Sequence, residues 1–167
     1  MTIRTINAVS ELRAVELLSR APLFKTLTAD DKRVFASMKG LFRYARSETM
    51  FIEQGDADYC IYVIMSGKAQ VHKDGVLVGE VAAGQFVGEV AFVTRELRSA
   101  SVSAISDMVL LRIDAESFRR LPIRAREIVK DKMIEGLHHR IERMNAEIMN
   151  FRNELTRSDD KQSESSD

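Results

Sequence analysis

The segment from Leu41 to Ile113 limits the possible folds most strongly, because it holds six of the chain's eight glycines between short apolar runs. Short runs rich in β-branched and aromatic residues, bounded by turn residues, are typical of β-strands. Strands are predicted at Thr49–Glu53, Cys60–Met65, Ala69–Lys73, Val76–Val81, Ser101–Ile105 and Met108–Ile113. Many short strands in about 70 residues predict a jelly-roll-like antiparallel β-roll or a barrel. Between two of them, Asp74 and Gly75 both tolerate a positive φ, which predicts a tight hairpin.

Helical patterns precede this β-segment. In residues 11–40 apolar side chains recur at helical spacing and Pro22 interrupts them, which predicts a helix, a tight turn and a second helix. Thr28 is predicted to cap the second helix. Asp30 and Asp31 then fall in its first turn, where the helix dipole favours negative charge.

The last element is predicted to be one long helix. Asp114 caps a short helix through Leu121, and Pro122 starts a second helix that runs from about Arg124 to Leu155. Apolar residues spaced as in the seam of a coiled coil follow over three heptads, at Ile134, Leu137, Ile141, Met144, Ile148, Phe151 and Leu155. The alternative is that this stripe packs on its own β-roll.

Gly136 interrupts the helical pattern at a cost of about 1 kcal/mol relative to alanine. It therefore indicates a hinge or a close packing contact, and we favour the packing contact. Beyond the helix, residues 156–167 include no apolar side chain, so this tail is predicted to be disordered.

Composition excludes several classes of protein. The chain has 25 basic and 25 acidic residues, and this net charge of zero disfavours a protein that coats nucleic acid or anionic membrane. The longest apolar run, Ile61–Met65, is too short to span a bilayer, and no signal-peptide core is present. We therefore expect a cytoplasmic protein. The single cysteine, Cys60, cannot form an internal disulfide and is predicted to be buried as a small apolar residue.

No catalytic or metal site is recognisable in the sequence. Gly67 and Lys68 lack the preceding glycine and the following Ser or Thr that a P-loop requires. His138 and His139 are helix neighbours whose side chains diverge by about 100°, so they cannot share one metal ion. No Gly-x-Ser-x-Gly, Cys-x-x-Cys or dinucleotide-binding pattern occurs. We expect a protein that is not an enzyme and that holds no metal or cofactor.

The segment Gly84–Ala100 carries the functional interpretation. Gly88 and Glu89 open a short helical turn, where free backbone N–H groups and a glycine favour an anionic ligand. Arg98, next to the Ser99 hydroxyl, could bind a phosphate through charge-assisted hydrogen bonds, and Glu89 could accept a hydrogen bond from a sugar hydroxyl. The alternative is that Glu89 and Arg98 form a surface ion pair that closes the loop.

This segment resembles the phosphate-binding cassette of cyclic nucleotide-binding domains, where Gly-Glu is followed nine residues later by Arg and a small residue. The resemblance extends to Leu17–Phe24, Gln54–Asp56 and Tyr62–Gly67, and to the short and long helices after Asp114. It implies an α+β fold, in which an eight-stranded antiparallel β-roll is flanked by N-terminal helices and a long C-terminal helix. We expect one such domain over residues 11–155, divided into N-terminal helical bundle, β-roll and C-terminal helices at 11–40, 41–113 and 114–155.

The resemblance also implies roles for individual residues. Arg98 would contact the cyclic phosphate and Glu89 the ribose 2′-hydroxyl, while Ser99 would add a hydroxyl. Further ligand contacts are implied at Val87, Gly88, Val90, Ala91 and Ala100. Catabolite activator proteins of this family also place serine after the arginine, whereas members that prefer cGMP often have threonine there, so Ser99 favours cAMP.

Catabolite activator proteins dimerise in parallel through the helix that corresponds to the long C-terminal one. The resemblance in this helix implies that Arg140 and Asn145 approach the base or the cassette glutamate. Glu147 and Arg152 fall at g and e positions, which can pair between parallel chains. In those activators a helix-turn-helix domain follows, but only twelve polar residues follow Leu155 here. A complete chain would then signal through a partner, whereas a fragment would have lost its output domain.

We therefore predict a homodimeric sensor that binds cAMP, or else cGMP, and signals to an unidentified downstream protein by movement of its C-terminal helix. Neither nucleic acid nor membrane is expected as a partner. The alternative is a degenerate member of the family that acts as an interaction or dimerisation module without a ligand. The intact pair Glu89 and Arg98 disfavours that alternative.

Overall fold

The computed structural model describes residues 4–5 and 10–164, with side chains described for residues 10–158. Its helices are α1 (Glu11–Arg20), α2 (Ala29–Ser37), α3 (Glu89–Thr94), α4 (Ala115–Arg120) and α5 (Ile123–Glu164), with a 3-10 turn at Pro22–Phe24. Its strands are β1 (Arg4–Thr5), β2 (Phe42–Ala45), β3 (Met50–Ile52), β4 (Ile61–Ser66), β5 (Lys68–Lys73), β6 (Val76–Ala82), β7 (Phe86–Val87), β8 (Ser101–Ala104) and β9 (Met108–Ile113).

The strands form two antiparallel sheets. In the described residues one sheet has the order β1-β2-β9-β4-β7 and the other the order β3-β8-β5-β6. Both sheets contribute to one apolar core, in which Ile64 and Leu110 of the first sheet join Ala69 and Val102 of the second at 1% exposure or less. The predicted α+β fold, a β-roll with helices before and after it, is therefore confirmed.

The turn chemistry predicted within the roll is confirmed as well. Asp74 and Gly75 join β5 to β6 with φ values of 51° and 80°. All six predicted strands are present, with ends that differ by at most one residue. Strands β1, β2 and β7 were not predicted, because β1 and β7 have only two residues each and β2 buries its first and last residues rather than alternate ones.

The helix starts follow the predicted caps. The Thr28 hydroxyl accepts a hydrogen bond from the Asp31 N–H at 3.1 Å, and the Asp31 carboxylate accepts one from the Thr28 N–H. Asp114 accepts a hydrogen bond from the Ser117 N–H at 2.7 Å and so caps α4. Such reciprocal and single caps satisfy backbone donors that a helix start leaves unpaired.

The chain divides into two compact units after Lys132, and α5 runs through the boundary. In the second unit the predicted stripe along α5 is mostly exposed, with Ile134, Ile141, Met144, Ile148, Phe151 and Leu155 at 53–67% exposure. The packing contact favoured at Gly136 is not found within the chain, because a Cβ placed there would meet nothing within 4 Å among the described residues outside the adjacent helix backbone. No helix among the described residues is long and apolar enough to cross a membrane.

Helix α5 also continues past Leu155, into the tail that was predicted to be disordered. The side chains of Thr156 and Ser158 donate hydrogen bonds to the carbonyls of Arg152 and Glu154, at 3.0 and 2.9 Å. These bonds satisfy hydroxyls that would otherwise compete with helix formation. No glycine or proline lies in the segment to end the helix. Residues 165–167 lie outside the described part of the chain.

Candidate functional site

The candidate site begins where β7 turns into α3. Gly88 precedes α3 with φ 86° and ψ 10°, a left-handed conformation that favours glycine. A Cβ on Gly88 would overlap the Arg98 guanidinium and lie 2.9 Å from the Cys60 carbonyl oxygen. Glycine is therefore required here for two reasons, its backbone conformation and the close approach of Arg98 to the main chain.

Arg98 is the central side chain of the site. It is only 3% exposed, and its guanidinium donates hydrogen bonds to two carbonyl oxygens, of Gly88 at 3.0 Å and Cys60 at 2.6 Å. It also forms an ion pair with Asp58, at 2.9 Å between Nη2 and Oδ2. The backbone is fixed as well, because the Arg98 N–H donates to the Asp56 carbonyl at 2.9 Å. The loop after α3 is thereby held against the turn before β4.

One donor of this buried guanidinium has no acceptor in the described structure. The Arg98 Nε is buried and makes no hydrogen bond. Leaving a buried donor unsatisfied typically costs about 1 to 3 kcal/mol, and more for a charged group. An anionic ligand that supplied an acceptor oxygen would remove this cost.

Asp58 connects Arg98 to a second arginine. Its Oδ1 lies 3.5 Å from Arg112 Nη2, and its Oδ2 accepts a hydrogen bond from the Tyr62 hydroxyl at 3.3 Å. Partial burial raises the pKa of Asp58, but hydrogen bonds from Arg98 and Cys60 and the charges of both arginines outweigh it and hold the pKa below 3.8. Asp58 is therefore ionised at neutral pH and balances one of two positive charges.

Two further side chains near this cluster are neutral at physiological pH. Burial raises the pKa of the Cys60 thiol to about 12, and burial likewise raises the pKa of the Tyr62 phenol to about 12. Cys60 is 4% exposed, which confirms the predicted buried position. Its protonated thiol cannot act as a nucleophile. No group of three or more candidate metal-binding side chains occurs in the part of the chain that the structure describes.

The structure contradicts a surface ion pair between Glu89 and Arg98, because each is only 3% exposed. Glu89 is the first residue of α3, at the end of the helix where the dipole favours a carboxylate. The remaining cassette residues predicted from the resemblance lie around these two. Val87 and Ala91 are buried, Gly88, Val90 and Ala100 are half-buried, and Ser99 is exposed.

Arg140 and Asn145 lie on α5 in the second unit of the chain, and their assignment as ligand contacts stays a prediction. Asp58 and Arg112 were not among the predicted site residues. Asp58 contacts Arg98 from 40 residues before it, and Arg112 contacts Asp58 from strand β9, so no local spacing identifies them. The one signal in the sequence is an arginine in a strand, β9, whose other residues are apolar.

Comparisons with known proteins show which proteins the chain is similar to. Residues 42–124 match the family model of the cyclic nucleotide-binding domain. The chain is 34% identical over 111 residues to the cAMP-dependent protein kinase type II regulatory subunit of Drosophila melanogaster, covering 64% of this chain and 29% of that subunit. The chain spans about a tenth to under a third of the curated relatives it matches.

Solved structures share the fold. A cyclic nucleotide-binding domain from Methylobacillus flagellatus superposes with a TM-score of 0.63 at 19% identity, covering 83% of this chain and 82% of that one. The catabolite activator protein of Thermus thermophilus superposes with a TM-score of 0.61 at 24% identity, covering 76% of this chain and 61% of that one. At such identities the likeness concerns the β-roll and its flanking helices.

Proposed function

The chain belongs, through residues 42–124, to the cyclic nucleotide-binding domain family, and we propose that it is a sensor that binds cAMP. The observation that carries this proposal is the buried Arg98, whose Nε has no hydrogen-bond acceptor in the described residues. A cyclic phosphate has a single negative charge and exocyclic oxygens that accept hydrogen bonds. It would satisfy both the charge and the donor of Arg98.

The rest of the ligand would lie along α3 and its preceding turn. The first N–H groups of a helix have no acceptor within the helix, so the backbone of Glu89, Val90 and Ala91 can donate to phosphate oxygens. The buried carboxylate of Glu89 would accept a hydrogen bond from the ribose 2′-hydroxyl. The 2′-hydroxyl would then lie between the Glu89 carboxylate and the phosphate, two negative groups that would otherwise repel each other.

We propose cAMP rather than cGMP because the residue after Arg98 is Ser99. Members of the family that prefer cGMP often have threonine at this position, and Ser99 is exposed beside the site. Its hydroxyl has one donor and can accept hydrogen bonds, so it would add a contact to the ligand. No residue of the described cassette gives a stronger preference for either base.

We further propose that the protein acts as a homodimer and transmits ligand binding through α5. The exposed stripe from Ile134 to Leu155 has the spacing of a parallel coiled coil, in which Glu147 and Arg152 would pair between chains. Exposed pairs contribute only about 0.5 kcal/mol, so the apolar seam would decide association. For α5 to transmit a signal, the protein must have two states that differ in the position of α5, and cAMP must bind these states with different affinities.

Calorimetric titration with cAMP, cGMP and 2′-deoxy-cAMP tests the proposed function. We expect wild type to bind cAMP more tightly than cGMP. Removal of the 2′-hydroxyl should weaken binding to wild type by about tenfold or more, as expected for a lost hydrogen bond to a charged group. In Glu89→Gln the same removal should cost much less, because the carboxylate acceptor is gone.

Val90→Ala serves as the matched control, since it changes a neighbouring α3 side chain and keeps the carboxylate. The loss caused by the 2′-deoxy ligand should be the same in Val90→Ala as in wild type. An equal loss in Glu89→Gln and wild type would show that Glu89 does not bind the ribose. Wild type without affinity for either cyclic nucleotide would overturn the proposed function.

A further inference from the structure

We propose that Arg112 is a positioning residue that sets the affinity of the site for its anionic ligand through Asp58, without touching the ligand. The inference rests on the proposed function and concerns how the same site is tuned. Three charged groups carry it, namely Arg98, Asp58 and Arg112. Asp58 binds Arg98 through Oδ2 at 2.9 Å and approaches Arg112 through Oδ1 at 3.5 Å.

The fold fixes these three groups in place. Arg112 lies on β9 directly opposite Tyr62 on β4, and its N–H donates to the Leu41 carbonyl at 2.8 Å. The Tyr62 hydroxyl donates to Asp58, and the Arg98 guanidinium carbon lies 5.9 Å from the centre of the Tyr62 ring. Tyr62 is only 3% exposed. Two of the contacts that place the carboxylate between the two arginines, those of Tyr62 and Arg112, therefore come from paired strands of one sheet.

A count of charges shows what Arg112 does. Asp58 shares the Arg98 guanidinium with any phosphate that binds there, so it is an anion close to the ligand's own charge. With both arginines and Asp58 ionised, the cluster has one net positive charge, and a singly charged ligand brings it to neutrality. Without Arg112 the cluster would be neutral before binding and negative after it. The Arg98 side chain is only 2% exposed, so solvent screens the charges that act on it weakly.

The same geometry argues against a purely structural role for Arg112. Its distance to Asp58 is long for a strong ion pair, and its side chain is 33% exposed. Asp58 also has closer partners, in the Arg98 guanidinium and the Cys60 N–H. Arg112 therefore contributes its charge to Asp58 more than it holds the loop in place. We expect its removal to change affinity more than stability.

A double-mutant cycle in the full chain tests this inference. Cyclic AMP affinity is measured by calorimetry for wild type, Arg112→Gln, Asp58→Asn and the double variant. We expect Arg112→Gln to weaken binding by roughly tenfold to a hundredfold, because Asp58 then competes with the ligand for Arg98. In the Asp58→Asn background the same substitution should change affinity by less than about threefold, because no carboxylate is left to neutralise.

Two further variants separate this mechanism from simpler ones. Arg112→Lys keeps the charge and should bind within about threefold of wild type. Arg46→Gln removes an exposed arginine near Asp107, a carboxylate that accepts a hydrogen bond from Tyr44 at 2.6 Å in a different turn. It should leave affinity unchanged. If Arg46→Gln lost as much cAMP affinity as Arg112→Gln, long-range attraction of the ligand by positive charge would explain both losses, and the inference would be wrong.

A readout without ligand accompanies the titrations. The Arg98 Nε–H resonance in a ¹H–¹⁵N spectrum should move in Arg112→Gln. In the Asp58→Asn background the same substitution should leave this resonance unchanged.

The titrations separate failure of the proposed function from failure of this inference. Wild type without affinity for cyclic nucleotides overturns the proposed function and this inference together. Binding by wild type with equal losses from Arg112→Gln in both backgrounds overturns this inference alone. If Arg112→Gln folds poorly, Arg112→Lys and Arg46→Gln decide the question. A loss of affinity in Arg112→Lys but not in Arg46→Gln would overturn the inference.

Discussion

Arg98 has an unusual setting for an arginine, because its charge is buried and one of its donors has no acceptor in the part of the chain that the structure describes. A buried guanidinium is normally fully paired, since each unsatisfied donor costs free energy. The sequence selected Arg98 and Glu89 through the resemblance of their segment to a phosphate-binding cassette, and their roles as ligand contacts stay predictions. It did not predict Asp58 or Arg112, because Asp58 lies 40 residues before Arg98 and Arg112 contacts Asp58 from a strand of the folded sheet.

The pKa of Asp58 leads to a prediction about acid stability. Because the folded pKa lies below 3.8, the ionised carboxylate stabilises the fold above that pH, and this contribution is lost as pH falls through the folded pKa. Asp58→Asn should lower the free energy of unfolding by about 2 kcal/mol at pH 7, because Arg98 loses a charged partner. The difference from wild type should shrink below pH 3.8.

Urea unfolding at pH 7, 4 and 3 measures this difference. Asp56→Asn is the matched control, because Asp56 is an exposed carboxylate in the same turn. Its substitution should change stability little at any of these pH values. A difference between Asp58→Asn and wild type that stays constant from pH 7 to pH 3 would contradict the ionised pairing of Asp58 with Arg98.

At the scale of elements, strands and helix caps were easier to predict than helix ends. The hairpin at Asp74 and the caps at Thr28 and Asp114 depend on neighbouring residues, so the sequence contains the full information. The end of α5 is not determined locally in this way, because polar side chains beyond Leu155 fit both a helix and a disordered tail. The environment of Gly136 could not be predicted either, since it depends on what lies beside the helix.

The stripe on α5 predicts the effect of a charge at its centre. Ile141 is 56% exposed on the stripe, at an a position of the predicted coiled coil. Ile141→Asp should convert the protein from dimer to monomer, because it would bury two like charges in the seam. Light scattering or sedimentation at several protein concentrations measures the mass.

Met149 offers the control on the same helix. It is 55% exposed but lies one position after the seam residue Ile148, outside the a/d stripe. Met149→Asp should therefore remain a dimer. A wild-type mass of one chain, with and without cAMP, would refute the dimer. Equal dissociation by both substitutions would place the contact outside the stripe.

At the scale of the whole molecule, the balance of 25 basic and 25 acidic residues suits a ligand with one negative charge. Such a ligand requires one well-placed arginine and not a basic face. The β-roll was predictable because its turns and alternating strands are local patterns, and the family model covers the same segment at residues 42–124. The balance of charge inside the site became visible only when the two sheets were in place.

The central claim is that Arg98 binds the phosphate of a cyclic nucleotide, and a titration with cAMP of two matched variants tests it most directly. Arg98→Ala should weaken binding by roughly 30-fold to several thousand-fold, as expected when a buried charged partner is lost. Arg95→Ala removes the same charge from an exposed residue of the same loop, which lies over Tyr59, and should bind like wild type. Equal affinity in wild type, Arg95→Ala and a folded Arg98→Ala would contradict the account.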